Sequence, residues 1–226
     1  MKILVLNGSP KTKSDTMRLT ESFLKGLTEK ADTDIEIIDV IKKKVAPCFG
    51  CFGCWKAGNG KCIQKDDLND ILDSYVRADV ILWSFPLYIY AMPSHLKAVL
   101  DRTIPLMKLK MKETNGRVHH ESLVDLSKRR TIVISGAGFP DWEGNFDGLR
   151  RTCQLCFGNP TLIFVPETPL MNIPEARPLT EPLLNAFLNA GREYAETGVL
   201  SEHTIQQLTT PMMPKEEYLS NVNASV

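Results

Sequence analysis

Short, uninterrupted runs of apolar residues recur along the chain, and five of them have the length of β-strands. They are rich in Val, Ile and Leu, and Gly, Pro, Asn or Ser closes most of them. This pattern is typical of strands that are buried on both faces of a sheet. The five predicted strands are Lys2–Leu6, Ile35–Val40, Ala78–Ser84, Thr131–Ser135 and Thr161–Val165.

Between these strands, apolar residues recur with the period of an amphipathic helix. The first such segment starts at Ser14 or Asp15, either of which is a suitable N-cap. Pro93 and Pro182 fall in first turns, where proline is tolerated. The further helices are predicted over Asp66–Arg77, Pro93–Arg102, Asn145–Phe157 and Glu181–Thr197. Alternating strands and helices predict an α/β fold with a doubly wound, five-stranded parallel sheet.

Two segments lie outside this alternation. Residues 104–129 form a long connection, and connections of that length are usually functional or involved in contacts. Residues 199–226 follow the last predicted helix and include the sequence Pro-Met-Met-Pro. We therefore predict a main domain over 1–198 and a C-terminal extension over 199–226 that acts as an oligomerisation arm.

Charge and hydropathy restrict the partners. The 226 residues contain 27 Lys and Arg and 27 Asp and Glu. A formal net charge of zero argues against nucleic-acid binding, which normally needs a basic excess. No apolar run approaches the roughly 20 residues of a membrane span, and none at the start has the length of a signal-peptide core. A cytoplasmic location without a membrane partner is the expectation, and disulfides are rare there.

Three loops follow strands at the edge of the sheet where α/β proteins bind ligands. The first, Asn7–Thr16, offers hydroxyl and amide groups at a helix N-terminus, which suits a phosphate, although a polar turn explains it equally well. It lacks GxxxxGK[ST] and GxGxxG. The second, Ser84–Pro93, places aromatic residues between prolines, where they either face a planar ligand or pack within the loop. The third, Ser135–Pro140, has glycines that allow close approach of a ligand.

Together these loops resemble a known family. The sequences NGSPK…S.T and P.Y…MP..LKAVLDR, followed by a glycine-rich loop, are similar to those of NADPH-dependent FMN reductases and iron–sulfur flavoproteins. The resemblance covers about residues 1–198. It implies the flavodoxin-like fold with strand order 2-1-3-4-5, FMN as cofactor and NAD(P)H as electron donor.

The resemblance also assigns residues to the flavin. It implies that no side chain is catalytic, because the flavin itself carries the hydride chemistry. The residues on the phosphate side are Ser9, Pro10, Lys11, Ser14, Asp15 and Thr16. Those that border the ring are Pro86, Leu87, Tyr88 and Ile89 on one edge, with Gly136, Ala137 and Gly138 on the other.

Four cysteines lie close together with the spacing Cys48-x2-Cys51-x2-Cys54-x7-Cys62. Thiolates in a tight loop suit an iron–sulfur cluster or a zinc ion, and the resemblance implies that these four hold a [4Fe–4S] cluster. Similar PC.GC..CW…G.C loops also occur in flavin oxidoreductases without a cluster, where the thiols pack as small apolar groups or act in redox chemistry. Zinc and a disulfide are the remaining alternatives.

Three functions follow from these features. The first is an FMN-dependent oxidoreductase in which NAD(P)H reduces the flavin and a quinone, free flavin or other small molecule accepts the electrons. The second is an iron–sulfur flavoprotein that transfers electrons between proteins, with a ferredoxin-like carrier as partner. The third is a zinc-stabilised binding domain without enzymatic activity. The resemblance further implies a homodimer or homotetramer.

Overall fold

The computed structural model describes residues 1–224, and its centre is a five-stranded parallel sheet. The strands are β1 Lys2–Asn7, β2 Asp34–Asp39, β3 Val80–Pro86, β4 Met107–Thr114, β5 Arg117–Ser122, β6 Arg130–Gly136 and β7 Thr161–Val165. The parallel sheet has the order β2-β1-β3-β6-β7, while β4 and β5 pair separately. With that separate pair set aside, the order is the expected 2-1-3-4-5, so the predicted fold class is confirmed.

Helices cover both faces of this sheet. They are α1 Asp15–Thr28, α2 Gly53–Ala57, α3 Leu68–Arg77, α4 Ser94–Asp101, α5 Asp147–Phe157, α6 Arg177–Thr197, α7 Glu202–Thr209 and α8 Lys215–Ala224. No helix within residues 1–224 is long and apolar enough to cross a bilayer.

The strands are apolar at consecutive positions because each face of the sheet has its own core. In β1, Leu4 and Leu6 join the core beneath α3, α4 and α5. Ile3 and Val5 point the other way, into the core beneath α1 and α6. Alternating side chains therefore enter two different apolar layers, which is the arrangement expected of a parallel sheet between helices.

Helices α1 and α6 approach each other closely at two glycines. A Cβ atom at Gly26 would lie 1.8 Å from the carbonyl oxygen of Leu188, and one at Gly191 would lie 1.9 Å from that of Phe23. Atoms cannot approach to such distances, so each helix needs glycine where it crosses the other. Ser14 begins α1 as its N-cap, and its hydroxyl accepts a hydrogen bond from the amide of Met17.

The last long helix begins earlier than its sequence pattern predicts. The start predicted at Glu181 is wrong, because α6 begins at Arg177 and Pro178 occupies its first turn. Pro182 therefore lies beyond the first turn, where it leaves the carbonyl of Pro178 without its usual helical partner. The helix continues through this position while its buried side packs on α1.

The long connection predicted over 104–129 contains regular structure. Strands β4 and β5 form an antiparallel hairpin, and Asn115 and Gly116 at its turn both have positive φ, at 53° and 72°. Asn-Gly is the preferred sequence for such a two-residue turn, so the hairpin was encoded locally. Much of this segment is therefore a β-hairpin and not a long irregular loop.

The C-terminal extension folds back onto its own chain. Leu208 in α7 is fully buried and Tyr218 in α8 is 4% exposed, so both helices pack against the main domain. Residues 225–226 of the predicted arm lie outside the described residues. A role of this segment in contacts with a second subunit stays a prediction.

The contact between α1 and α6 is testable by substitution. We expect Gly191→Ala to lower the free energy of unfolding by about 2 kcal/mol or more, because the added methyl group forces two backbones apart. Urea denaturation measures this change.

The matched control is Gly148→Ala in α5, where a Cβ would lie 3.7 Å from the carbonyl oxygen of Tyr90. We expect this variant to stay within about 1 kcal/mol of the wild type. Equal unfolding midpoints for the two variants would contradict the packing argument.

Candidate functional site

The ends of three central strands bring the predicted binding loops together. In the sheet, Asn7 of β1 is paired with Ser84 of β3, and Pro86 is paired with Gly136 of β6. The three loops therefore leave the sheet side by side at its carboxyl edge, which is the edge where open α/β sheets bind ligands.

The first loop is held in place by its own side chains. The Asn7 side chain accepts a hydrogen bond from the amide of Ser9 at 2.9 Å and donates to Asp39 at 2.8 Å. The hydroxyl groups of Ser14 and Thr16 lie 3.0 Å apart. Within residues 1–224, the amides of Asp15 and Thr16 donate no hydrogen bond. These free donors at the start of α1 suit an anion.

Asp15 brings a negative charge to this loop, and a lysine and an asparagine side chain contact its carboxylate. Lys11 lies 3.7 Å from the Asp15 carboxylate, and the side-chain amide of Asn172 donates to it at 2.6 Å. Acidic residues in the first turn are favourable for a helix. The carboxylate is therefore engaged with its own chain.

A cavity of about 140 Å³ lies between the three loops. It is lined by every residue that the resemblance assigns to the flavin except Pro10, Ile89 and Ala137. Two further lining residues, Thr168 and Pro169, were not predicted from the sequence. Its lining comprises Ser9, Lys11, Ser14, Asp15, Thr16, Pro86, Leu87, Tyr88, Gly136, Gly138, Thr168 and Pro169.

Glycine is required at the end of β6. A Cβ at Gly136 would lie 2.6 Å from a carbon of Thr168 and 3.0 Å from one of Thr16. A side chain there would therefore collide with Thr168 and Thr16, two residues that line the cavity. Thr168 follows β7, and only the tertiary pairing of β7 with β6 brings it here, so the sequence contained no local signal for it.

The second loop makes a tight turn at the mouth of the cavity. Tyr88 and Ala91 exchange backbone hydrogen bonds at 2.9 and 3.1 Å. Between them, Ile89 and Tyr90 both have positive φ, at 45° and 61°. Such a conformation is strained for side chains of this size. Ile89 is 90% exposed, so it projects away from the cavity that Tyr88 lines.

The four clustered cysteines meet at a second, smaller cavity of about 40 Å³. None of them forms a disulfide, and within residues 1–224 no group of three or more His, Cys, Asp or Glu side chains is placed to hold a metal ion. The predicted cluster ligands are therefore neighbours without a preformed metal geometry. The lining comprises Cys48, Gly50, Cys51, Phe52, Cys54, Cys62, Gln64, Arg102, Ile104 and Pro105.

A buried arginine, which the sequence analysis does not single out, fixes this loop from behind. The side chain of Arg102 is 1% exposed and pairs with the carboxylate of Asp66. It also donates to the carbonyl of Ala46 at 2.9 Å and to the sulfur of Cys62 at 3.1 Å. In the sequence, it is the arginine that directly follows the amphipathic helix α4, after LKAVLD. One side chain thus joins α4 to both ends of the cysteine loop.

The ionisation of Asp66 follows from these contacts. Burial by itself would raise the pKa of this carboxyl, but hydrogen bonds from Arg102 and from the amides of Ala46 and Leu68 outweigh burial and hold the pKa below its usual value. The carboxylate therefore stays charged opposite the buried guanidinium.

The hairpin of β4 and β5 flanks the cysteine loop. The indole N–H of Trp55 donates to the carbonyl of Met107 at 2.9 Å, and its ring lies 4.8 Å from that of His120. The hairpin and the loop thus support each other through Trp55. Burial raises the pKa of the neighbouring Cys54 thiol.

The separate pair Cys153 and Cys156 lies on α5, far along the chain from this loop. Cys153 is fully buried, and burial raises the pKa of its thiol to about 12. Such a thiol is inert, since the thiolate is the reactive form.

The model of the NADPH-dependent FMN reductase family matches residues 1–119. This is more than half of the chain. The chain belongs to this family. The match confirms the family that the loop sequences indicate, over a shorter stretch than the resemblance suggested.

Relatives with two kinds of name match the chain. An iron–sulfur flavoprotein of Methanocaldococcus jannaschii is 33% identical over 106 residues, which cover 47% of this chain and 53% of the relative. An FMN-dependent NADH:quinone oxidoreductase of Bacillus licheniformis is 28% identical over 112 residues, covering 44% and 53%. The chain spans about half the length of these curated relatives.

Solved structures share the fold over most of the chain. An FMN-dependent NADH-azoreductase of Bacillus anthracis, solved with FMN, has a TM-score of 0.62 at 21% identity and covers 86% of this chain and 100% of that one. An NAD(P)H:quinone oxidoreductase of Methanothermobacter marburgensis has a TM-score of 0.60 at 18% identity, covering 85% and 96%. At these identities the likeness establishes the fold alone.

The pair formed by Arg102 and Asp66 generates a prediction. We expect Asp66→Asn to lower the free energy of unfolding at pH 7 by about 3 kcal/mol, because it leaves a buried charge uncompensated. The folded-state pKa of Asp66 is lowered, so this stabilisation is complete above about pH 4 and declines as the pH falls through the folded-state pKa. Urea denaturation between pH 7 and pH 3 measures both effects.

Asp73→Asn is the matched control, because Asp73 pairs with Lys61 at the surface, where the two side chains are 46% and 38% exposed. We expect this substitution to lower the free energy of unfolding by less than about 1 kcal/mol. If the two variants were equally stable at pH 7, the anchoring role of Arg102 and Asp66 would be wrong.

Proposed function

We propose that this protein is an FMN-dependent oxidoreductase in which NAD(P)H reduces the flavin and a small molecule such as a quinone accepts the electrons. The observation that carries this proposal is the cavity at the carboxyl edge of the sheet. Ten of its twelve lining residues come from the three loops that the family resemblance assigns to the flavin.

The residues around this cavity fit the chemistry of FMN. In the first loop, the free amides at the start of α1 and the hydroxyls of Ser9 and Thr16 supply donors for a phosphate. Leu87 and Tyr88 of the second loop offer apolar surface to the cavity, and Gly136 and Gly138 of the third loop let the backbone form part of its wall. Bound FMN would supply hydride and one-electron transfer, while the protein supplies binding and orientation.

One relative and the description of the family support the choice of substrates. The Bacillus licheniformis protein is named as an NADH:quinone oxidoreductase, and the family is described as NADPH-dependent. These names support a nicotinamide nucleotide as the electron donor that we propose. A quinone is the acceptor class that we propose.

FMN binding tests this proposal. We expect the purified chain to bind FMN, and Thr16→Val to raise the dissociation constant about tenfold, because a hydrogen bond to a charged group contributes about 1.5–3 kcal/mol. Quenching of flavin fluorescence measures the binding. Thr152→Val is the control, since the Thr152 hydroxyl on α5 donates to its own helix at Gly148. Absence of FMN binding by the wild type would refute the proposal.

The cysteine loop supports a second candidate function, electron transfer through an iron–sulfur cluster. Four thiols line one small cavity, and the guanidinium of Arg102 donates to one of their sulfurs at 3.1 Å. Hydrogen bonds to cluster sulfurs tune cluster potentials. The relative from Methanocaldococcus jannaschii is named as an iron–sulfur flavoprotein. In this second candidate, Cys48, Cys51, Cys54 and Cys62 would be the ligands of a [4Fe–4S] cluster and would have to move together to bind it, because no three of them are placed for a metal ion within residues 1–224.

Metal analysis distinguishes the two candidates. If the cluster is present, protein purified without oxygen should contain about four irons and four sulfides per chain, and Cys51→Ser should lose them while FMN binding persists. FMN without iron or sulfide would contradict the cluster. Oxidation of NAD(P)H that speeds up with a quinone favours the reductase, whereas electron exchange with a ferredoxin-like carrier alone favours the second candidate.

A further inference from the structure

The third loop is held by residues outside it. Three successive carbonyl groups each accept a hydrogen bond from a more distant part of the chain. The pairs are the Ala137 carbonyl with the amide of Thr168 at 2.9 Å, the Gly138 carbonyl with the hydroxyl of Tyr218 at 2.6 Å and the Phe139 carbonyl with the amide of Glu167 at 3.1 Å. The loop therefore has little freedom to turn its peptide groups.

The amides of the same loop remain free. Within residues 1–224, the N–H groups of Gly138 and Phe139 donate no hydrogen bond. In a trans peptide the N–H points opposite to the C=O, so a bond from Tyr218 to the Gly138 carbonyl turns the Phe139 amide away from Tyr218. Gly138 lines the cavity between the loops. The loop thus has one free donor on a residue that lines the candidate flavin site, Gly138, and a second on the next residue, Phe139.

Tyr218 reaches this loop from the C-terminal helix α8. Its side chain is 4% exposed and packs with Leu170 and Ala176 in a small apolar cluster of their own. Because a buried hydroxyl needs a partner, the Gly138 carbonyl fixes the orientation of the ring as well as that of the loop.

Glu167 ties the tail to the segment that supports the loop. It is fully buried, and one carboxylate oxygen accepts hydrogen bonds from the amides of Met212 and Met213 at 2.6 and 3.3 Å. Its φ of 56° is unusual for a residue with a side chain. Strain of this kind persists only where the surrounding structure holds it.

A surface ion pair adds a third contact between the tail and the residues just beyond the loop. Lys215 lies 2.7 Å from Asp141, with the two side chains about half exposed. Exposed pairs contribute little to stability. The buried contacts of Tyr218 and Glu167 are therefore the ones that fix the tail.

We propose that residues 199–224 form a strap that positions the amides of Gly138 and Phe139 for acceptor atoms on the flavin ring, with Tyr218 and Glu167 as positioning residues. This inference rests on the proposed binding of FMN. It gives the C-terminal extension a role within its own chain.

Tyr218→Phe tests the strap, because it removes one hydroxyl and keeps the packing of the ring. We expect the dissociation constant for FMN to rise about fivefold, the effect of one net hydrogen bond, and the midpoint potential of bound FMN to shift. Tyr194→Phe is the matched control. Tyr194 is 2% exposed and packs on Phe23, and its hydroxyl has no hydrogen bond within the described residues, so FMN affinity should not change.

Amide hydrogen exchange of the FMN-free chain provides a readout that does not depend on flavin. We expect faster exchange at residues 137–141 in Tyr218→Phe than in Tyr194→Phe. Glu167→Gln, which keeps an acceptor for the tail amides, should bind FMN more tightly than Glu167→Ala.

Two outcomes separate the strap from the proposed function. Unchanged FMN affinity and unchanged exchange in Tyr218→Phe would overturn the strap even if the wild type binds FMN. A wild type that binds no FMN would overturn the proposed function and, with it, the role of the strap towards the flavin. Amide hydrogen exchange at residues 137–141 of the FMN-free chain would then still show whether Tyr218 holds the third loop.

Discussion

Residues Val80–Phe85 have essentially no exposed surface, because helices cover both faces of the sheet. A polar side chain in such a strand needs a partner, since an unpaired polar group in an apolar layer costs free energy. The hydroxyl of Ser84 has one, because it accepts a hydrogen bond from the hydroxyl of Thr20 at 2.9 Å. The polar and conformationally unusual residues of the candidate site lie mainly where the chain leaves the sheet. The candidate site lies where the three innermost strands end together.

The same constraint shapes the cysteine loop. This loop lies between β2 and α3, over an apolar core that cannot hold it through polar contacts. Arg102 supplies those contacts from the end of α4, and Asp66 neutralises its charge. A buried ion pair adds little net stability compared with apolar packing, but breaking it is costly. Its value here is geometric, because it holds Cys62 and Ala46, at the two ends of the cysteine loop, against one guanidinium.

The two cavities share one feature: in each, a residue far along the chain holds a loop that lines the cavity. Thr168 follows β7, and Tyr218 lies near the end of the chain, yet both contact the loop after β6. Trp55 connects the cysteine loop to the hairpin in a similar way. In each case the chemistry lies on a short loop, and a residue far along the sequence sets its conformation. Sites on loops need such support, because loops are otherwise the most mobile parts of a fold.

The sequence by itself determined the strands, their order through the family resemblance, and most of the cavity lining. The strands follow from local patterns, because apolar runs, N-caps such as Ser14 and turn residues act over a few neighbouring positions. The strand order and the lining residues followed from the family resemblance. The Asn115-Gly116 turn carried an equally local signal for the hairpin.

Tertiary structure alone decided the roles of Arg102, Glu167, Thr168 and Tyr218. Their significance comes from partners 31 to 80 positions away, and no local pattern records such a distance. Pro182 is a further example. Its local sequence places it in the first turn of a helix, but α6 packs against α1 and continues as a helix on both sides of Pro182. Short-range preferences build the elements, whereas the contacts that complete the site exist only once the sheet has brought those elements together.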